Sequence, residues 1–264
     1  MLDSKRLNAF QALGIGPAWV ARASTARDTH ASRPEPLEAP AAELRGDPLD
    51  QTDPVAIEER WSALATRVSS CRDCPLGSTR QHPVFGTGST SARWMLVGEA
   101  PGAEEDRSGE PFVGRAGALL DAILKAASLD RSREVYIANV LKCRPPGNRN
   151  PEPDEVAKCE PHLQQQVQLL KPKILVLMGR FAAQTLLGTE ASIASLRGRL
   201  HAVQLGGMTI PAVVTYHPAY LLRNPADKRL AWADWCLARR EFSALLRQSA
   251  IPNQTYAGLS GAAE

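Results

Sequence analysis

Three groups of residues in this 264-residue chain have the types and spacings that do chemistry. The first is cysteine. Cys71 and Cys74 form a C-x2-C pair, Cys143 follows an apolar run, and Cys159 follows a Pro-rich loop. Four thiolates drawn from three segments complete a tetrahedral metal site, and a C-x2-C turn aims two sulfurs inward from one turn. An iron–sulfur cluster and structural zinc both suit such a donor set, and spacing alone leaves the two open. The competing reading is four scattered core cysteines, since cysteine is often buried. Two of the four flank Pro-rich loops rather than lying in strands, which counts against it. The fifth, Cys236, sits within Trp232-Ala233-Asp234-Trp235-Cys236-Leu237 on an amphipathic helix and is read as core.

The second group lies on Val97 to Gly117, VGEAPGAEEDRSGEPFVGRAG, between the apolar run Trp94 to Val97 and a helical pattern from Ala118 to Leu124. Glycines let backbone approach a flat ligand, because they have no Cβ and tolerate φ > 0. Phe112, fixed behind Pro111 on this loop, is a candidate stacking surface for a planar ring. The plainer reading is a long strand-to-helix connection with a buried Phe.

The third group is polar residues at the ends of apolar runs. Asn139 offers a donor and an acceptor together, which can tell uracil from cytosine by the hydrogen-bonding edge; otherwise it is a turn residue. His217 opens Tyr216-His217-Pro218-Ala219-Tyr220-Leu221-Leu222-Arg223, where Pro218 stiffens the backbone. Bulky apolar residues here, beside Arg223, Lys228 and Arg229, suit a wedge between base steps with cations on phosphates. Alternatively, Leu221 and Leu222 begin a helix and are buried. Lys142, Arg144 and Arg149 form a basic loop next to Cys143, set to touch a DNA backbone or to be solvated.

The elements that must position these groups follow from periodicity. Strands are predicted at Trp94–Gly98, Val135–Leu141, Ile174–Met178 and Ala212–Tyr216. Helices are predicted at Val55–Ser70, Ala116–Ala127, Pro153–Leu170, Arg180–Leu187 and Ala226–Arg247. Strands alternating with helices specify an α/β fold: a three-layer αβα arrangement around a central, mainly parallel four-stranded sheet. Ligands of such sheets bind outside the carboxyl ends of the strands. Gly98-Glu99, Asn139 and His217 all fall there, so three polar clusters converge on one rim.

Composition sets the bounds. The apolar fraction of 44% supports a real core, and the net charge of +3 only weakly suggests a polyanionic partner. No signal core and no run of membrane-spanning length is present, so a cytoplasmic protein without membrane association is expected. Five cysteines in this length do not form a secreted disulfide scaffold. Residues 1–54 read as an N-terminal extension and flexible linker, 55–250 as the folded domain and 251–264 as a C-terminal tail.

Taken together, Gly98-Glu99-Ala100-Pro101-Gly102, Pro111-Phe112-Val113-Gly114, Asn139 to Arg149 and His217 to Arg223 resemble the family 4 uracil-DNA glycosylases, bacterial and archaeal enzymes carrying a [4Fe-4S] cluster. The resemblance runs from about Cys71 to Leu246. It implies a uracil-DNA glycosylase-like fold and hydrolysis of the N-glycosidic bond of flipped-out deoxyuridine, leaving an abasic site for base excision repair. It implies cluster ligation by Cys71, Cys74, Cys143 and Cys159, favouring iron–sulfur over zinc. It gives base contacts to the backbone at Glu99 and Ala100, stacking on uracil to Phe112 and reading of its edge to Asn139. It gives donation to uracil O2 to His217 and the wedge to Leu221, with Arg223 on DNA. Glu105 matches an acidic position lining the pocket. Classical members carry Asp where Ala100 stands and family 4 lacks it, which leaves Glu99 and Glu105 as candidates to orient the water, with or without a carboxylate acting as a true base. The implied partner is uracil-containing DNA, single- or double-stranded, met by a monomer. The alternative is a covalent or non-catalytic uracil-DNA-binding protein of the same superfamily; the covalent type needs a histidine on a basic loop, and Arg144 to Asp154 has none.

Overall fold

The computed structural model describes residues 54–250. The expectations for the extension up to residue 53 and for the tail 251–264 lie outside the described residues. Among the described residues, no helix is long and apolar enough to cross a membrane.

The chain enters through helix α1 (Pro54–Ser70), a short α2 (Leu76–Thr79) and edge strand β1 (Thr87–Gly88). Strand β2 (Trp94–Gly98) leads through α3 (Ala103–Ser108) to α4 (Arg115–Ala126). Then come β3 (Val135–Asn139), α5 (Pro153–Leu170), β4 (Ile174–Met178), α6 (Arg180–Leu187) and α7 (Ile193–Leu196). Hairpin β5 (Leu200–Leu205) and β6 (Met208–Thr215) is followed by α8 (Pro218–Arg223) and α9 (Lys228–Ala250). The strand order is β1-β3-β2-β4-β6-β5.

The four expected strands form the parallel middle, β3-β2-β4-β6. Every residue of β2, β3 and β4 is buried, as a sheet covered on both faces requires. Successive side chains point to opposite faces, so each strand feeds both cores. Met95, Val97, Leu175 and Leu177 pack with Trp61 of α1 and Leu163 and Val167 of α5. Trp94, Leu96, Ile174 and Val176 pack with Leu120 and Leu124 of α4 and Trp235 of α9. That is the expected three-layer arrangement.

Among the described residues the sheet has six strands rather than four. Antiparallel β1 and β5 cap its two edges. The second of these was legible in Gly206-Gly207, whose φ values of 60° and 76° make the tight hairpin turn. The expected strand end at Leu141 reflects real pairing: Val140 and Leu141 N–H groups donate to the carbonyls of Gly98 and Glu99, at 3.0 Å each, beyond β3 itself. The predicted start of the last helix at Ala226 falls instead in a short 3-10 turn, Pro225–Asp227. The loop from Val97 to Gly117 contains the helix α3.

A buried polar network ties the end of β3 to α5. Lys142 Nζ donates to the Asn139 carbonyl (2.8 Å) and to Gln166 Oε1 (2.7 Å). Gln166 Nε2 donates to the Phe85 carbonyl (2.8 Å) and the Tyr136 hydroxyl (3.1 Å). An ammonium removed from water is tolerable only with such partners. Gln166→Leu removes one of them and is expected to cost about 1–3 kcal/mol in urea unfolding. An unchanged unfolding midpoint would mean that the Asn139 carbonyl suffices.

Candidate base pocket and cysteine centre

At the carboxyl ends of β2, β3 and β6 lies a cavity of about 410 Å³. Its lining includes Glu99, Ala100, Phe112, Asn139, His217 and Arg223. The strand ends deliver three of them directly: Glu99 follows β2, Asn139 is the last residue of β3, and His217 follows β6 by two residues. Gly98 stands opposite Asn139 in the parallel register. A Cβ at Gly98 would lie 2.4 Å from Asn139 Oδ1 and 3.0 Å from Phe112 Cζ. The amide and the phenyl ring thus meet over a bare stretch of backbone. Asn139 is 2% exposed, and its Oδ1 is buried with no hydrogen-bond partner among the described residues. Such an orphan acceptor calls for a ligand donor.

Phe112 stands with its ring centroid 5.3 Å from that of His217, the rings 30° apart. Its backbone has φ 56°, a left-handed conformation uncommon for a side chain of this bulk. Two features hold it there. Arg131 Nη2 donates to the carbonyls of Pro111 (2.7 Å) and Phe112 (3.2 Å), while its Nη1 donates to Asp121 (2.7 Å). Gly117 packs so closely that a Cβ there would sit 1.8 Å from the Phe112 carbonyl oxygen. Phe112 is also 6% exposed, within the layer of Trp94, Leu96 and Leu120. The ring is therefore a wall of the pocket backed by core, so the reading of a buried Phe and that of a flat surface facing a cavity both apply to it.

The titratable groups are set by their neighbours. His217 Nδ1 accepts from the Ala219 N–H (3.1 Å), which leaves the ring proton on Nε2. Burial, helped by the Arg223 charge, lowers its pKa to about 4, so it is neutral near pH 7. Burial raises the Glu99 carboxyl above its ordinary range, partly offset by Arg180. Glu105 accepts from Gly102 N (3.1 Å) through Oε2 and from Val113 N (3.3 Å) through Oε1. Both its oxygens therefore brace the loop. On the basic side, Arg149 donates from both terminal nitrogens to buried Glu155 (3.0 and 2.6 Å), and Arg144 Nε donates to Asn148 (2.8 Å).

Behind the pocket, Cys71, Cys74, Cys143 and Cys159 line one small cleft with Arg80, Lys142 and His162. All four are free cysteines, and Leu76 and Leu141 supply an apolar wall. Arg80 Nη1 donates to Cys143 Sγ (2.9 Å) and the Lys142 amide to Cys159 Sγ (3.2 Å). Burial pushes the Cys143 thiol up to about 11 and raises Cys71 and Cys159 as well. Four sulfurs lining one cleft, where the Arg80 and Lys142 charges offset the effect of burial only in part, fit a bound metal centre, with N–H groups already aimed at sulfur.

A family model for the uracil DNA glycosylase superfamily matches residues 85–237. The chain belongs to this superfamily. It is 43% identical over 171 residues to a type-4 uracil-DNA glycosylase of Archaeoglobus fulgidus, covering 63% of this chain and 85% of the relative. It is 42% identical over 172 residues to the type-4 enzyme of Thermotoga maritima, covering 65% and 88%. A type-5 uracil-DNA glycosylase of Thermus thermophilus is 31% identical over 189 residues, covering 59% and 85%. Within the superfamily, then, this glycosylase groups with the type-4 members.

Several sequence expectations for this glycosylase need correction. Leu221 is 1% exposed, packed inward from α8, and is unavailable as a wedge; the alternative of a buried helix start holds for it. Lys142 is 1% exposed and points inward rather than toward a DNA backbone. Cys236 is exposed, not core, because the register of α9 turns Trp235 inward instead. Arg131 and Arg80 carry no signal in the sequence: neither lies in a motif, and their partners Pro111 and Cys143 stand 20 and 63 residues away.

Gly98→Ala places a methyl group in the slot between Asn139 and Phe112. Overpacking costs about 1–3 kcal/mol, and uracil binding followed by NMR titration is expected to weaken about tenfold or more. Unaltered uracil binding would remove Gly98 from the floor of the pocket.

Proposed function

We propose that this chain hydrolyses the N-glycosidic bond of deoxyuridine in DNA, releasing uracil and leaving an abasic site as the first step of base excision repair. One observation carries the assignment of residues: Phe112, Asn139 and His217, distant in sequence, line a single cavity beside the bare backbone of Gly98.

The substrate nucleotide leaves the helix at a cost of a few kcal/mol. That cost is lower for uracil opposite guanine, which pairs weakly. Phe112 covers one face of the ring. Asn139 Oδ1 accepts from uracil N3–H; cytosine presents a bare acceptor at that atom, and an unpaired buried oxygen is the penalty for binding it. As the bond to C1′ loosens, negative charge grows on uracil O2. Neutral His217 donates Nε2–H to it, with backbone N–H groups near Ala100 beside it, in the manner of an oxyanion hole. Water then attacks C1′ of the oxocarbenium-like sugar. Glu99 is the carboxylate available to orient that water, while Glu105, committed to two backbone N–H groups, holds the loop. Arg223 and the Arg144–Arg149 loop face the phosphates. A single chain carries all these groups, in keeping with a monomer acting on single- or double-stranded DNA.

Cys71, Cys74, Cys143 and Cys159 would hold a [4Fe-4S] cluster, zinc being the less favoured alternative. When bound, such a cluster would supply folding free energy rather than redox chemistry, since glycosidic hydrolysis transfers no electrons. The four cysteines sit on three segments, which a bound cluster would tie together: residues 71–74, the stretch after β3 and α5.

A uracil-containing oligonucleotide incubated with the protein is expected to acquire alkali-labile sites. His217→Ala should slow single-turnover release about 100-fold or more while DNA affinity stays nearly intact. No alkali-labile site with the unaltered protein would refute the activity, and an SDS-stable adduct would turn it into covalent capture. An unchanged rate in the variant would release His217 from its role.

Cys143→Ala is expected to lose the brown iron–sulfur absorption and to melt about 5 °C lower or more. A variant that kept its melting temperature would deny the centre a structural role.

A further inference from the structure

With Leu221 buried, the turn after β6 offers DNA a different side chain. Tyr220 is partly exposed and lines the mouth of the base pocket beside Arg223. Its ring stacks on Tyr216, centroids 4.8 Å apart and planes 24° apart. Below Tyr216 lies the Arg197 guanidinium, 4.2 Å from the ring centroid. Arg197 is fixed in turn by Asp234, Nε to Oδ2 at 2.7 Å, with side chains only 10% and 1% exposed. From the side, the Tyr220 hydroxyl donates to Asp227 (2.7 Å). Three planar groups thus form a column that starts on a buried carboxylate and ends at the rim of the cavity.

Such a column is rigid before any ligand arrives. The buried ion pair fixes the guanidinium, the guanidinium attracts the face of Tyr216, and the hydroxyl bond fixes the tilt of Tyr220. A flat surface held ready at the rim suits a flat partner. Flipping one nucleotide leaves its neighbour with a bare π face at the same place, and stacking on an aromatic side chain restores what that base has lost.

We infer that Tyr220 is a stacking platform for the nucleobase next to the extruded nucleotide, and that Arg197 and Asp234 are its positioning residues. This rests on uracil excision as proposed above.

The test is a coupling cycle between protein and DNA. Duplexes carry 2′-fluoro-deoxyuridine, which resists cleavage, flanked by a base or by an abasic spacer on either side. Affinities are read by anisotropy for the unaltered protein, Tyr220→Ala and Tyr220→Phe. For one flank, removing the base is expected to weaken binding to the unaltered protein about tenfold. The same removal should leave Tyr220→Ala almost unaffected. Tyr220→Phe, which keeps the ring and loses the Asp227 bond, should retain the flank dependence. Losses that simply add, or an absent flank dependence in the unaltered protein, would overturn the platform; a merely structural role predicts additivity. Excision of ordinary deoxyuridine by the unaltered protein, run in parallel, separates the two readings: its failure would sink the glycosylase assignment, whereas additive losses with excision intact would sink only the platform.

Discussion

The parallel register of β2 against β3 is the constraint on which the pocket depends. It sets Gly98 opposite Asn139 at the carboxyl edge of the sheet. With no Cβ at Gly98, the Asn139 amide and the Phe112 ring close over bare backbone, and a slot remains. A slip of one residue would turn Asn139 to the other face of the sheet and destroy the slot. The register is itself secured by apolar residues buried on both faces, so the same burial that stabilises the fold fixes the pocket floor.

Around that floor, the chain spends backbone strain and buried polarity where geometry must not drift. Phe112 keeps a left-handed backbone, which costs about 1–3 kcal/mol for a non-glycine residue, because Arg131 and Gly117 leave it no alternative. Lys142 lies in the interior, held by Gln166 and the Asn139 carbonyl. The base-facing Asn139, whose carbonyl it bonds, stands three residues before it, and Cys143 is the next residue in the chain. The cysteine centre and the pocket therefore share one short stretch of chain, Asn139 to Cys143.

Electrostatics at the rim divides labour between like residues. Burial and the Arg223 charge keep His217 neutral, and the bond from Ala219 N–H leaves its proton on Nε2, so it donates without carrying a charge into the pocket. Glu99 and Glu105 stand on the same loop, yet only Glu105 has both oxygens saturated by backbone donors. Residue type alone does not separate them; hydrogen-bond partners do.

By itself, the sequence determined the four central strands, the helices between them, the cysteine set and the three polar clusters at the strand ends. These rest on local periodicity and on residues at short, fixed spacings, which a linear reading captures. The Gly206-Gly207 turn is equally legible, because paired glycines suit the positive φ of a tight hairpin. Only the tertiary structure decided that Leu221 and Lys142 face inward, that Cys236 faces out, that Arg131 clamps Phe112, and that β1 joins the far edge antiparallel. Each of those depends on which surface a residue meets after distant segments pack. Chain order does not encode that contact, because burial is a property of neighbours brought together in space.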